Sequence, residues 1–404
     1  MRTASTRRQF LGQAGCFGLA AAGLDLSTAF LGADQESRKV LDHTLITIAG
    51  KPRERGKQYG AKFKDAIHSF LDKEIYQVCA KHASREKLLA YAGQCTKAVK
   101  DYSPAITEEL EGMAEGADMK LEEIVLITMH EETAGHKDGK LPPVEHCTAL
   151  GAAPPDTKDG HTYIGQNWDW MASVYGLSQM LLWKRPEGPS LLAYSYPGLW
   201  VGAGLNSAGV ALCWTWGDGL KIKGPRIGIP SYVLIAQMLY QDTLAGAIKE
   251  AERAKHAGWF AFVLGDSKGQ LATVEGTPEK LVVHKPRGHT ARASYACREI
   301  LGGAEGEPLK LHHQCKRMFD LLAESKGKLD RATIQGFFGD HTTTSLDDHK
   351  SKICKHPDSK SGGGVEASGF TVDSMLFDCT KLEAHVSRGP GCSGRWKTFQ
   401  FEDK

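Results

Sequence analysis

The chain has 404 residues, enough for one large domain or two ordinary ones. Hydrophobic residues make up 41% and charged residues 24%, as in ordinary globular proteins, and 50 basic against 48 acidic side chains leave a net charge of +2, which predicts no polyanionic partner. No basic run is interleaved with aromatics and no uninterrupted apolar stretch of about 18 residues occurs, so neither a nucleic-acid face nor a membrane-spanning helix is expected.

At the N-terminus, "STRRQFLG" places Arg7-Arg8 before a Gly/Ala-rich apolar segment from Phe10 to Phe30, with small residues at Ser27 and Ala29. This is the layout of a twin-arginine export signal over residues 1–33, and it predicts a periplasmic or other extracytoplasmic location. That route carries folded proteins, so the ten cysteines need not form a disulfide framework. Nine cysteines follow the signal and none forms a CxxC pair, while His341, His349 and His312-His313 lack metal-ligand spacing. Neither a metal nor an organic cofactor is therefore expected. An odd count leaves at least one thiol unpaired, and Cys147 has the most suggestive neighbours.

"TLITIAG" (44–50) alternates like a strand. Helical patterns follow over 53–75, over "REKLLAYAGQCTKAVKDY", over "PAITEELEGMAEGAD" capped by Ser103, and over "KLEEIVLITMHEE". The polar stretch "AGHKDGKLPPVEH" reads as an exposed loop. From residue 147 the pattern changes to strands separated by Gly, Asn, Asp and Ser turns: "CTALGAA", "TYIGQNWDW", "MLLWKRP", "SLLAYSYPG", "WVGAGLNSAGVALCWTW", "FAFVLGD" and "LATVEGTPEKLVVHKP". Helices return near 230–240, 243–254, 309–324 and 330–340, "HPDSKSGGGVEAS" (356–368) reads as a loop, and "SMLFDCTKLEAHVS" closes the run with a strand pair. Stacked antiparallel sheets covered by helices, an α+β layer fold, follow from this order.

Cys147 opens a strand directly after the exposed loop. A cut before it would give one residue both a thiol and an α-amine, whose pKa near about 8 lets it take the thiol proton at neutral pH. A small buried hydrophobe is the other reading of a free cysteine at a strand start.

Three stretches carry a wider resemblance: "GKPRERGKQYG" (50–60), "CTALGA" with "GHTYIGQNWDW", and "GLNSAGVAL" (204–212); "SMLFDCTKLEAHVSRGPGC" adds a fourth, weaker one. Together they make the chain similar to the autoproteolytic acyl-CoA:6-aminopenicillanic acid acyltransferase-like family, a branch of the N-terminal-nucleophile hydrolases. The resemblance implies a four-layer αββα sandwich. It implies self-cleavage between His146 and Cys147, dividing a mainly helical segment (34–146) from a catalytic core (147–404). It also implies acyl transfer through a thioester on Cys147.

Asp169 matches the aspartate of the family's Asn-Trp-Asp and is expected to hold the new α-amine by a charge-assisted hydrogen bond. Trp168 and Trp170 are expected at the pocket wall. Ser368 matches a serine near the nucleophile. Where the family supplies an asparagine to the oxyanion, this chain has Ala261, which leaves backbone N–H groups or Asn206 as donors. His146 stands where relatives carry glycine. The expected activity is that of an amidohydrolase or N-acyltransferase on a small N-acylated amine. Hydrolysis is favoured because coenzyme A is an intracellular donor. A non-catalytic binding protein on the same fold and a phospholipase-B-like acylhydrolase are the alternatives. The sequence does not give the oligomeric state.

Overall fold

A computed structural model describes residues 42–80, 83–134, 147–217, 226–294, 296–297, 299–301, 313–342, 352–357 and 369–401. The expected export signal, the loop with His146 and the loop with Ser368 lie outside the described residues.

After strand β1 (Leu45–Ala49) comes a helical block: α1 (Pro52–Lys62), α2 (Lys64–Phe70), a π-turn over Leu71–Tyr76 running into α3 (Gln77–Cys79), α4 (Arg85–Tyr102), α5 (Pro104–Ala117), α6 (Leu121–Thr128) and α7 (His130–Ala134). The cap expected at Ser103 is present: Ser103 accepts from the Ile106 amide with Pro104 in the first turn. Ser84 likewise caps α4 by accepting from the Lys87 amide. The helix expected over 53–75 breaks at Phe63, which leaves the helical region at φ −111°.

The "RERGKQYG" stretch is read by packing. A Cβ at Gly56 or Gly60 would run into the backbone of Glu109 or Met113, and one at Gly112 or Gly116 into that of Arg53 or Lys57. Helices α1 and α5 therefore touch backbone to backbone along two glycine pairs, and no larger residue fits. Arg55, fully buried, pairs across this contact with Glu109 and reaches Glu187 Oε1 at 2.5 Å, and Glu109 also accepts from the Tyr240 hydroxyl at 2.6 Å. The guanidinium fork is matched by carboxylates, which is what makes burying it tolerable.

The strands are β2 (Thr148–Ala152), β3 (Tyr163–Met171), β4 (Gln179–Lys184), β5 (Leu191–Tyr196), β6 (Leu199–Asn206), β7 (Ala211–Trp216), β8 (Phe260–Gly265), β9 (Leu271–Gly276), β10 (Leu281–His284), β11 (His289–Arg292), β12 (Gly369–Asp378), β13 (Glu383–Arg388) and β14 (Trp396–Gln400). They form an eight-stranded sheet, β1-β4-β5-β6-β7-β8-β9-β10, and a six-stranded sheet, β11-β2-β3-β12-β13-β14. Among the described strands, only β1 and β4 pair in parallel. The sheets pack face to face through β2 and β3 on β7 and β8. Helices α8 (Ser231–Leu239) and α9 (Leu244–Arg253) cover the larger sheet, and α10 (His313–Glu324) and α11 (Arg331–Phe337) cover the smaller. This is the αββα sandwich expected from the sequence. Leu41–Lys404 forms one unit, in which the helical block and the sheets share a core. Among the described residues no helix is long and apolar enough to cross a membrane, and no disulfide joins any of the nine cysteines.

Candidate active site

Cys147 sits just before β2, whose register sets Thr148 opposite Asn167. Side chains alternate along a strand, so β3 sends Gln166, Trp168 and Trp170 to one face and Asn167 and Asp169 to the other. The first face meets the larger sheet: the Trp168 ring lies 5.2 Å from Tyr194 and 6.1 Å from Trp214, and Trp170 lies 4.9 Å from Tyr196 and 4.8 Å from His130. The second face meets the helices: Asn167 Nδ2 donates to the carbonyls of Phe338 (3.0 Å) and Ile353 (2.8 Å), and its Oδ1 accepts from Ser374 at 2.7 Å. Asn167 is thus a structural tie.

Cys147 is half-buried, and its Sγ lies 3.7 Å from the carbonyl oxygen of Asp169. Burial, then the nearby Asp169 carboxylate, push the thiol up to about 12, while the Lys355 ammonium and the Gln166 amide favour the thiolate. At neutral pH the thiol is therefore protonated and needs a base in contact with it.

The Asp169 carboxylate is held from two sides. Its Oδ1 accepts from Thr371 Oγ1 at 2.6 Å, and its Oδ2 lies 2.9 Å from Lys355 Nζ, with Asp169 and Lys355 both buried. The Lys355 amide in turn donates to Thr371 Oγ1 at 3.0 Å. Opposite Asp169 the β12 register slips between Thr371 and Asp373, a bulge that re-aims Thr371.

Gln166 Nε2, Trp214 Nε1 and the Tyr232 hydroxyl are buried with no hydrogen-bond partner among the described residues, and Gln166 and Tyr232 lie near the thiol. Gln166 Oε1 is fixed by the Trp214 amide at 2.9 Å, which leaves its nitrogen turned to Cys147. A thiolate at Cys147 would also be felt by the hydroxyls of Tyr196 and Tyr232. Buried donors without partners are costly, and they are what a developing oxyanion would satisfy.

The structure brings Cys147, Asp169, Trp168 and Trp170 together. It does not bring Asn206 to them. Asn206 Nδ2 donates to the carbonyls of Leu239 and Gln241, and its Oδ1 accepts from the amides of Ala208 and Val210. Its amide ties the end of β6 to the end of α8 and closes the β6–β7 turn, about 13 Å along the strand, at about 3.3 Å per residue, from Gly202, where β6 meets the Trp168 ring. Its role is structural, a correction of the expected donor role. Ala261 lies in β8 against Cys297 and Ile300, an apolar surrounding with no amide to offer. Sequence reasoning passed over Lys355, Thr371, Gln166 and Tyr232. Only Gln166 carried a signal, as the polar member of the period-two face that holds Trp168 and Trp170.

Glu132, in α7, is buried against the start of α8. Its Oε1 accepts from both the amide and the hydroxyl of Ser231 at 2.8 Å, its Oε2 is buried without a partner, and burial pushes its carboxyl up to about 7. The raised value means that the folded chain keeps this proton when the unfolded chain has lost it. The contribution is fully present below about pH 4.5 and is lost as pH rises through about 7, on the order of 3 kcal/mol in all. Glu132→Gln keeps the acceptor and removes the charge. Its melting temperature should equal that of the wild type near pH 4.5 and exceed it increasingly up to pH 8; parallel profiles would refute a raised carboxyl.

Residues 156–297 match the family described as acyl-coenzyme A:6-aminopenicillanic acid acyl-transferase, which bears out the resemblance read from the sequence. A curated relative, the 40 kDa form of acyl-coenzyme A:6-aminopenicillanic-acid-acyltransferase from Emericella nidulans, is 25% identical over 241 residues. That match spans 58% of this chain and 64% of the relative, less than two thirds of its length. Among solved structures, penicillin V acylase from Agrobacterium tumefaciens is 13% identical, with 60% of this chain and 82% of that one covered and a TM-score of 0.39. A variant of conjugated bile acid hydrolase from Clostridium perfringens is 14% identical, covering 63% and 97%, with a TM-score of 0.38.

Proposed function

We propose that this chain is an exported cysteine amidohydrolase that cuts itself before Cys147 and then hydrolyses a small N-acylated amine through a thioester on that residue. The observation that supports it most is the thiol at the mouth of β2, with a buried Asp169–Lys355 pair behind it and unpartnered donors in front. The family match over 156–297 agrees with acyl transfer as the chemistry.

In self-cleavage the Cys147 sulfur adds to the carbonyl carbon of His146. The peptide C–N bond breaks, the thiol proton passes to the departing nitrogen, and water hydrolyses the resulting thioester. The freed α-amine then has a pKa near about 8, close enough to neutrality to serve as base for the high-pKa thiol. During turnover it takes the thiol proton as sulfur adds to the substrate carbonyl. Gln166 and Tyr232, whose donors lie near the thiol, would donate to the oxyanion. As the intermediate collapses, the C–N bond breaks and the proton on the α-ammonium goes to the leaving amine. Water, deprotonated by the same α-amine, releases the acid and restores the thiol.

Asp169 orients the α-amine, and Lys355 and Thr371 fix Asp169. The aromatic wall of Trp168, Trp170, Tyr194 and Tyr196 suits an apolar or aromatic acyl group. Export through the Arg7-Arg8 signal favours water over coenzyme A chemistry.

The test is amine release from a panel of N-acyl amines with aliphatic and aromatic acyl groups, together with peptide mapping of the acylated enzyme. Turnover with acyl mass on the Cys147 peptide is expected. A processed enzyme that releases no amine from any member, and carries no acyl group, would overturn the hydrolytic reading.

A further inference from the structure

On the helical side of the smaller sheet, four side chains far apart in sequence converge. His341 follows α11, Cys354 and His356 lie on the segment 352–357, and Cys392 lies on the turn Gly391–Ser393. His356 Nε2 is 3.0 Å from His341 Nε2, 3.3 Å from Cys392 Sγ and 3.8 Å from Cys354 Sγ, and all four ligand atoms fall within 4.8 Å of one another.

Two imidazole nitrogens and two sulfurs do not gather in this way to hydrogen-bond each other, because one shared proton satisfies a single edge of the group. They do surround a metal in this way. Zn–N bonds of about 2.0–2.1 Å and Zn–S bonds of about 2.3 Å, set at tetrahedral angles, give ligand-to-ligand edges of about 3.3 to 3.8 Å. The two His356–cysteine separations fall in that range, and the His341–His356 one lies just below it. The donor set of two thiolates and two imidazoles, with no carboxylate, suits zinc and not magnesium or calcium.

The backbone around the cluster is already fixed. The Cys354 amide donates to the Asp340 carbonyl at 2.9 Å, a Cβ on Gly391 would press on the Phe338 carbonyl, and one on Gly339 would press on Cys392. We infer that His341, Cys354, His356 and Cys392 hold a structural zinc ion that pins the segment 352–357 beside the candidate active site. Along that segment Cys354 and His356 face the cluster, while Lys355 between them turns to Asp169 at 2.9 Å. Zinc would thus act as a clip that positions Lys355, and through it Asp169. The His341–Cys354 and His356–Cys392 spacings resemble no compact zinc motif, so only the fold assembles the site.

Binding releases the two thiol protons to solvent and changes no oxidation state. The test uses the full chain, reduced, loaded with Zn²⁺, desalted and assayed for metal, with a parallel sample loaded with Co²⁺. One equivalent of zinc is expected, with a tetrahedral cobalt spectrum bearing thiolate charge-transfer bands. Cys392→Ser and His341→Ala should each hold the metal on the order of a hundredfold more weakly. Three results would overturn the site: a reduced wild-type chain that retains no stoichiometric metal, a Cys354–Cys392 disulfide in the protein as purified, or metal retained equally by both variants. The wild type alone can give the first two, so the site can be overturned even if neither variant folds.

Discussion

Cys147→Ala should leave one uncut chain with no measurable turnover, a loss on the order of ten-thousandfold or more in kcat/KM. The substitution removes one sulfur from a half-buried position at a strand start, where the described contacts of that atom are the long one to the Asp169 carbonyl and the Gln166 amide. Stability should therefore change little while both proposed reactions stop, since each begins with attack by the same atom. Cys147→Ser separates the two roles. A hydroxyl is a poorer nucleophile with the same geometry, so slow cleavage with little turnover is expected. The readouts are intact mass and amine release. A Cys147→Ala chain that still divides or still turns over would move the nucleophile elsewhere and end the account.

Lys355→Met should cost about 3–5 kcal/mol, because it strands the buried Asp169 carboxylate without its cation. At about 2.1 cal/mol/K of unfolding entropy per residue, that is a fall of roughly 4–6 °C in melting temperature for a chain of this size. The double variant Lys355→Met with Asp169→Asn carries no unpaired charge and should recover a substantial part of the loss, although its activity should stay low. Recovery of stability without recovery of activity distinguishes a positioning pair from packing alone. If the single and double variants melt together, the pair is not coupled, and the structure's account of Asp169 fails.

Much of the scaffold could be read directly because it follows local rules. Ser103 and Pro104 mark a helix start, and Gly, Asn, Asp and Ser turns between apolar runs mark the strands. The glycines of α1 were visible as a motif, but their reason, contact with the glycines of α5, lies more than fifty residues away. The sequence reading missed β11 and β14, which are short edge strands with charged or polar residues. At the site, Cys147 and Asp169 were legible because one hairpin carries both. Lys355 and Thr371 arrive from strand-distant segments and no spacing announces them. Asn206 misled because good turn chemistry and a donor role use the same amide, and only its four bonds decide between them. The histidines and cysteines of the proposed zinc clip were dismissed on spacing, which is a rule for compact motifs and is silent about ligands gathered by a fold.

The most direct test of the central claim is the intact mass of the purified wild-type chain under denaturing, reducing conditions. The account predicts two masses that sum to the mature chain plus one water, the larger beginning at Cys147. A single uncut mass that persists through long incubation would contradict it, leaving Cys147 without the α-amine on which the mechanism depends.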